Sequence, residues 1–235
     1  MSSTNATARR VGLLYVAMSI LSILGYMYLP SQYYVAGDAA ATAARIVAES
    51  STYRWSILNG LAGQILFLFV VLGLYQLFKD VDRRQARLMA VLVCVGVAAE
   101  IVNIGWHTAP LVLLSGADWL SAFTRPQLDA LAFGSLRLSS AFGQIITAFW
   151  GLWLFPFGVL TIKSGLFPKV LGWLLFLSGI GYCVTCAASI VFPDQLAAIT
   201  RVVFPLYFGE LGMVLWLPLM GAREPAPATA SMEGR

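Results

Sequence analysis

Glu100, Asn103 and His107 stand three and four residues apart in the apolar stretch AAEIVNIGWHTAPLVLLSG, and His107 is the only histidine of the chain. A carboxylate, an amide and an imidazole can together exchange protons, hold a polar ligand or share a metal ion. At about 100° per residue of an α-helix, the three fall within an arc of about 60° over about 10 Å of rise. A charged group at the centre of a bilayer costs at least about 2.5–3.5 kcal/mol, so this stripe should face protein or a water-filled cavity. Pro110 cannot donate to the carbonyl of Trp106, so a kink is expected just beyond the histidine.

Other apolar segments carry matching groups. Arg137, Ser140, Gln144 and Thr147 share an arc of about 80° at the same turn per residue. Ser56, Asn59 and Gln64 lie on one earlier segment, Tyr182 on a later one, and Tyr207 and Glu210 near the end of the chain. The expected ligand- or proton-binding set is Glu100, Asn103, His107, Arg137, Gln144, Tyr207, Glu210 and Asn59. No catalytic residue is assigned, and no metal site or cofactor is expected.

The elements that must position these groups follow from composition. Of 235 residues, 59% are hydrophobic and 11% charged, where a soluble domain carries roughly 25% charged residues. Apolar runs of about 18 or more residues recur, each long enough to cross a bilayer as a helix. Backbone groups in lipid must be satisfied internally, so the fold class is all-α: a polytopic transmembrane helical bundle. Six spans are predicted, Val11–Leu29, Arg54–Phe78, Ala86–Leu114, Leu128–Ile162, Val170–Phe192 and Leu196–Met220. The first, preceded by Arg9 and Arg10, exceeds the core of a secretory signal and is read as a membrane helix.

Basic residues set orientation. Arg9, Arg10, Lys79, Arg83, Arg84, Arg87, Lys163, Lys169, Arg223 and Arg235 fall at one set of span ends, against Arg45, Arg54, Arg125, Arg137 and Arg201 at the other. Ten against five places both termini in the cytoplasm of a multi-pass cell-membrane protein. The expected organisation is a cytoplasmic segment over 1–10, the six-helix domain over 11–220 and a disordered Pro/Ala-rich cytoplasmic tail over 221–235. In that frame the polar groups occupy mid-depth and the outer half, which predicts an outward-facing polar cavity.

The loops carry start signals. In GDAAATAARIVAES, Asp38 is a good N-cap for an alanine-rich surface helix. In TRPQLDALAF, Thr124 caps and Pro126 sits in the first turn. Pro168 opens the fifth span and Pro156 should kink the fourth. The glycines at 60, 63, 209 and 212 should permit close helix contact. Trp55, Trp119 and Tyr33 read as interface anchors. CVTC, with Cys183 and Cys186, lies inside an apolar helix, where packing is preferred to redox work.

The strings ARRVGLLYVAMSILSILG, GDAAATAARIVAES, GLYQLFKDVDRRQARLMA and SGLFPKVLGWLLFLSGIGY resemble the bacterial membrane-protein family called domain of unknown function 4386, over roughly residues 8–190. The resemblance implies a multi-helix membrane domain. It implies no activity and no site residues.

One histidine cannot supply a bis-histidine haem site or a His-rich zinc site. No lysine lies mid-span to form a Schiff base, and no phosphate-cradling loop is present. A net charge of +4 without a basic aromatic run makes nucleic acid an unexpected partner. Three functions fit. The preferred one binds or transports a small or lipid-like ligand through the outward-facing cavity, with membrane lipid as surroundings. The alternatives are an accessory or structural protein whose polar network fixes packing, and an intramembrane enzyme using Glu/His acid–base or metal chemistry.

Overall fold

The computed structural model describes residues 3–223, apart from the side chains of Ser3, Tyr26 and Met27. Among the described residues there is no strand. Six helical stretches are long and apolar enough to cross a membrane. Large apolar side chains such as Val102 and Phe69 point outward, as a lipid-facing surface requires. The protein is a multi-pass helical membrane protein.

The first span is α1 (Ser3–Ile23), which starts several residues before the predicted boundary. It runs through a π-helical turn, Leu24–Tyr28, into α2 (Leu29–Tyr33). Asp38 caps α3 (Ala39–Ala48), accepting from the Ala41 N–H at 2.8 Å, as predicted. The second span is α4 (Ser50–Phe78). Asp82 caps the third, α5 (Arg83–Trp106), by accepting from the Gln85 N–H. His107 ends α5, and α6 (Ala109–Leu113) follows with Pro110 in its first turn. The kink therefore falls at the histidine.

Thr124 opens α7 (Arg125–Leu152), and the Gln127 side chain accepts from the Thr124 N–H at 2.8 Å. The fourth span breaks at Trp153 and continues as α8 (Leu154–Ser164), with Pro156 just inside the new helix. Gly165, at φ 65°, ends α8 in the left-handed conformation that glycine tolerates. Pro168 then caps α9 (Lys169–Val191). The sixth span is the most broken. Past a 3-10 turn at Pro193–Gln195 come α10 (Leu196–Val203), a second 3-10 turn at Phe204–Tyr207, and α11 (Phe208–Leu219).

The spans close into a ring in chain order. α1 packs on α4, α4 on α5, α5 on α7 and α8, both of these on α9, α9 on α11, and α11 back on α1. Six crossings put both described ends on one side, called here the terminal side. There Lys163 bridges to Asp82 at 2.7 Å. The Arg223 N–H donates to the Leu166 carbonyl at 2.9 Å, so residues just past α11 dock on the turn between α8 and α9. The predicted disordered tail from residue 224 onward lies outside the described residues.

The core fills the terminal half. Tyr15, Val70, Leu74, Phe78, Met89, Phe157 and Leu160 are all fully buried there. Close crossings rest on missing Cβ atoms. A Cβ on Gly209 would lie 2.2 Å from the Leu174 carbonyl oxygen, bearing out that glycine as a contact point. One on Gly12, not singled out from sequence, would lie 2.4 Å from the Pro218 nitrogen. Around Gly63, by contrast, an added Cβ would make only an ordinary contact.

Of the three residues read as interface anchors, Tyr33 is corrected by the structure. Trp55 and Trp119 are exposed near span ends. Tyr33 is buried instead, set edge-on against Tyr53 with ring centroids 4.7 Å apart. The turn from α2 to α3 folds back over the bundle and carries Tyr33 inward.

Candidate functional site

A chamber of about 820 Å³ occupies the middle of the ring and its half away from the terminal side. Glu100, Asn103, His107, Arg137, Gln144, Tyr207, Glu210 and Asn59 all line it. They come from four of the six spans, the second, third, fourth and sixth, each of which turns a polar face to the ring axis.

The third span supplies a linked chain. Asn103 Nδ2 donates to Glu100 Oε1 at a long 3.4 Å. Ser139 Oγ donates to Asn103 Oδ1 at 3.1 Å and lies 3.0 Å from His107 Nε2. A hydroxyl has one proton, so with it directed at Asn103, Ser139 accepts from a proton on His107 Nε2. The Tyr53 hydroxyl donates to the His107 carbonyl at 2.7 Å, pinning the break at the end of α5. Glu100 and Asn103 are both buried.

On the opposite wall, the Tyr15 hydroxyl donates to Glu210 Oε1. Ser178 holds the broken sixth span. Its Oγ accepts from the Glu210 N–H at 2.9 Å and donates to the Leu206 carbonyl at 2.7 Å. Pro205 cannot make its own backbone bond, and the serine hydroxyl satisfies groups that the interruption exposes. Tyr207 stacks on Tyr182, centroids 4.6 Å apart, and its hydroxyl is hydrogen-bonded to that of Thr185.

Asn59 Nδ2 donates to the Leu21 carbonyl at 2.9 Å. That carbonyl lies beside the π turn, where the shift in hydrogen-bond register displaces backbone partners. Arg137 is exposed, and the ion pairs among the described residues are Arg125–Asp129 and Lys163–Asp82. Glu210 takes its hydrogen bond from Tyr15 rather than from this guanidinium.

Two amide oxygens beside the chamber, Gln64 Oε1 and Gln144 Oε1, are buried without a hydrogen-bond partner. The aromatic floor consists of Phe67, Trp150 and Trp153, with Phe67 centroids 5.4 and 5.3 Å from the two indoles.

Four breaks in the spans reach this chamber. Gly25 in the π turn, His107 after α5, Trp153 between α7 and α8, and Tyr207 before α11 all line it. Irregular backbone at membrane depth is tolerated where it is buried in protein or lines a cavity.

Sequence reasoning missed Tyr15, Tyr53, Ser139 and Ser178. A serine at mid-helix gives no signal of its own, and Ser140 shares the chamber with Ser139. Tyr15 is one hydroxyl within an apolar span, and no spacing in the sequence pairs it with Glu210. Cys186 Sγ lies 3.5 Å from the Ile145 carbonyl, and a Cβ on Gly151 would lie 2.8 Å from Cys183 Sγ. Both sulfurs sit at helix crossings, where packing accounts for them. Among the described residues no group of three His, Cys, Asp or Glu could hold a metal ion. Glu100, His107 and Glu210 are thus not assembled as the ligand set that metal chemistry needs.

The ring and its lined chamber define a class: a polytopic helical membrane protein with a polar interior at mid-depth. Within that class, the chain belongs to the family described as domain of unknown function (DUF4386), whose model matches residues 11–221. No curated protein and no solved structure matches the chain.

Proposed function

We propose that this is a cell-membrane protein, both termini cytoplasmic, that binds or transports a small or lipid-like ligand through the chamber. The carrying observation is the pair of partnerless buried oxygens, Gln64 Oε1 and Gln144 Oε1, on side chains that line it. A network that serves only to hold helices together satisfies its own members, because a buried orphan costs about 1–3 kcal/mol. The volume, about 820 Å³, lies within the range of roughly 300–1,000 Å³ typical of ligand sites. The excess of basic residues at the terminal side supports the orientation, which opens the polar half outward.

Native mass spectrometry on gently extracted protein tests this reading, with Glu100→Gln run beside wild type. The expected outcome is a stoichiometric small-molecule or lipid adduct on wild type, weakened in the variant at unchanged thermal stability. A variant that loses stability, with no adduct on either protein, would instead make the polar groups a packing device.

A further inference from the structure

We infer that the ligand is an acidic amphiphile, an alkyl chain whose carboxylate or phosphate head is held by Arg137 at the mouth of the chamber. This rests on the proposed binding function and adds the chemistry of what is bound.

The first argument is depth. Arg137 and Lys163 stand 26 residues apart along α7 and α8, about 39 Å of helical rise. Lys163 marks the terminal-side surface, where it bridges to Asp82. A bilayer is about 30 Å thick in its hydrocarbon core and about 40–45 Å with its headgroup layers. Arg137 therefore stands at the headgroup level of the far side. Gln144 and Trp150, later on the same helix, lie about 10 and 20 Å deeper. All three line the chamber. The chamber thus runs from one interface into hydrocarbon depth, as a lipid does.

The second is charge. Arg137 is exposed and belongs to neither ion pair among the described residues. A guanidinium keeps its charge in proteins and offers five N–H donors in a planar fork that matches a carboxylate or phosphate. Ser140 stands three residues on, so its exposed hydroxyl shares that wall. Tyr34 lines the chamber too, stacked on Phe133 one turn before Arg137 with centroids 5.5 Å apart. The carboxyl groups lie deeper. Glu100 is one turn nearer the terminal side than Asn103, which meets Ser139, and Glu210 meets Tyr15 of the terminal-half core. An acidic head finds donors at the mouth and like charge below, so the chamber sets its direction as well as its sign.

The third is the support around Arg137. Ser139, two residues on, donates to Asn103 Oδ1, and Asn103 donates to Glu100. This chain fixes which face α7 turns inward, and with it the wall on which Arg137 stands. Below it Leu21, Ile57, Leu211 and Trp150 line the chamber, each partly accessible, and give an alkyl chain an apolar wall.

Full-length protein in detergent is titrated with decanoate, decyl phosphate, decanol and decylamine, with native mass spectrometry counting the molecules bound per chain. The two acids are expected to saturate at one per chain and to bind roughly tenfold tighter than decanol, with decylamine no tighter than decanol. Arg137→Gln should weaken both acids about tenfold and leave decanol unchanged, and Arg137→Lys, which keeps the charge, should restore part of the loss. Acetate and inorganic phosphate, heads without a chain, should compete at least about a hundredfold more weakly. An acidic phospholipid carried through extraction and displaced by decanoate would support the site and name bilayer lipid as its source. Decanoate binding to protein free of lipid would support it with a free acid as the source. Decanol or decylamine binding as tightly as the acids, or Arg137→Gln binding the acids as wild type does, would overturn the acidic head and leave the binding function standing. Acetate or phosphate competing on equal terms with decanoate would overturn the amphiphile. No one-to-one adduct with any of these ligands would overturn both readings. The wild-type series decides the matter even where Arg137→Gln does not fold.

Discussion

The terminal half of the bundle and the far half are made of the same apolar helices and behave differently. In the terminal half, Val70, Leu74, Phe157 and Leu160 fill the ring completely, and Gly12 lets two helix backbones touch. In the far half the buried apolar cluster shrinks to Tyr33, Ile46, Tyr53 and Leu136, and the ring opens around the chamber. The interruptions at Gly25, His107, Trp153 and Tyr207 all border that chamber. Closed packing depends on side chains without polar groups and on small residues at crossings. Where carboxylates, amides and prolines accumulate, the same helices bend apart and satisfy the exposed backbone with Asn59, Tyr53 and Ser178.

This contrast can be broken most directly at the closed end. Gly12→Val places a Cβ 2.4 Å from the Pro218 nitrogen, a backbone atom that cannot swing away. The expected loss is about 3 kcal/mol or more, at the upper end of overpacking effects. Thermal unfolding in detergent measures it; a variant as stable as wild type would mean that the two helices do not meet as described.

The open end should answer in the opposite sense. Gln64→Leu removes an orphan acceptor and should leave stability unchanged or raise it by about 1 kcal/mol, while abolishing the adduct. A fall in Tm matching that of Gly12→Val would erase the distinction between the halves, because Gln64 would then be part of a packed core.

The smallest effect is expected at the terminal surface. The hydrogen bond from Lys163, and then that from the Gln85 N–H, hold the Asp82 carboxyl below the usual carboxylate range. A depressed carboxyl stabilises the fold above its unfolded value, about 4, and that stability is lost as pH falls through its folded value. Tm of wild type should therefore decline on acidification below about pH 4, and Asp82→Asn should flatten that part of the profile. The pair is exposed, so the change should be the least of the three. An identical profile in the variant would remove the bridge as a clamp on the closed end.

Much of this contrast was legible in the residues. The polar arcs on α5 and α7 were readable from spacing, and all eight candidates meet at one chamber. Pro110 announced the break at His107, and Asp38 announced α3. Partners across the ring were not legible. Ser139 rather than Ser140, about 100° further round α7, bonds Asn103 because of the face that α7 turns to α5, which no local pattern records. Tyr33 looked like an anchor because a tyrosine near a span end usually is one. Its burial came from the path of α2.

The sequence by itself determined how many times the chain crosses and which apolar run makes each crossing. In lipid every backbone group must find its partner within the segment, so the length of an apolar run settles a helix locally. Only the tertiary structure decided that the spans close into a ring, which residues meet across it, and that Tyr33 turns inward. Helices already in lipid gain little from burying apolar faces against each other. Their arrangement is set by shape at glycine crossings and by single hydrogen bonds between distant residues, such as Tyr15 to Glu210, which exist only once the ring has formed.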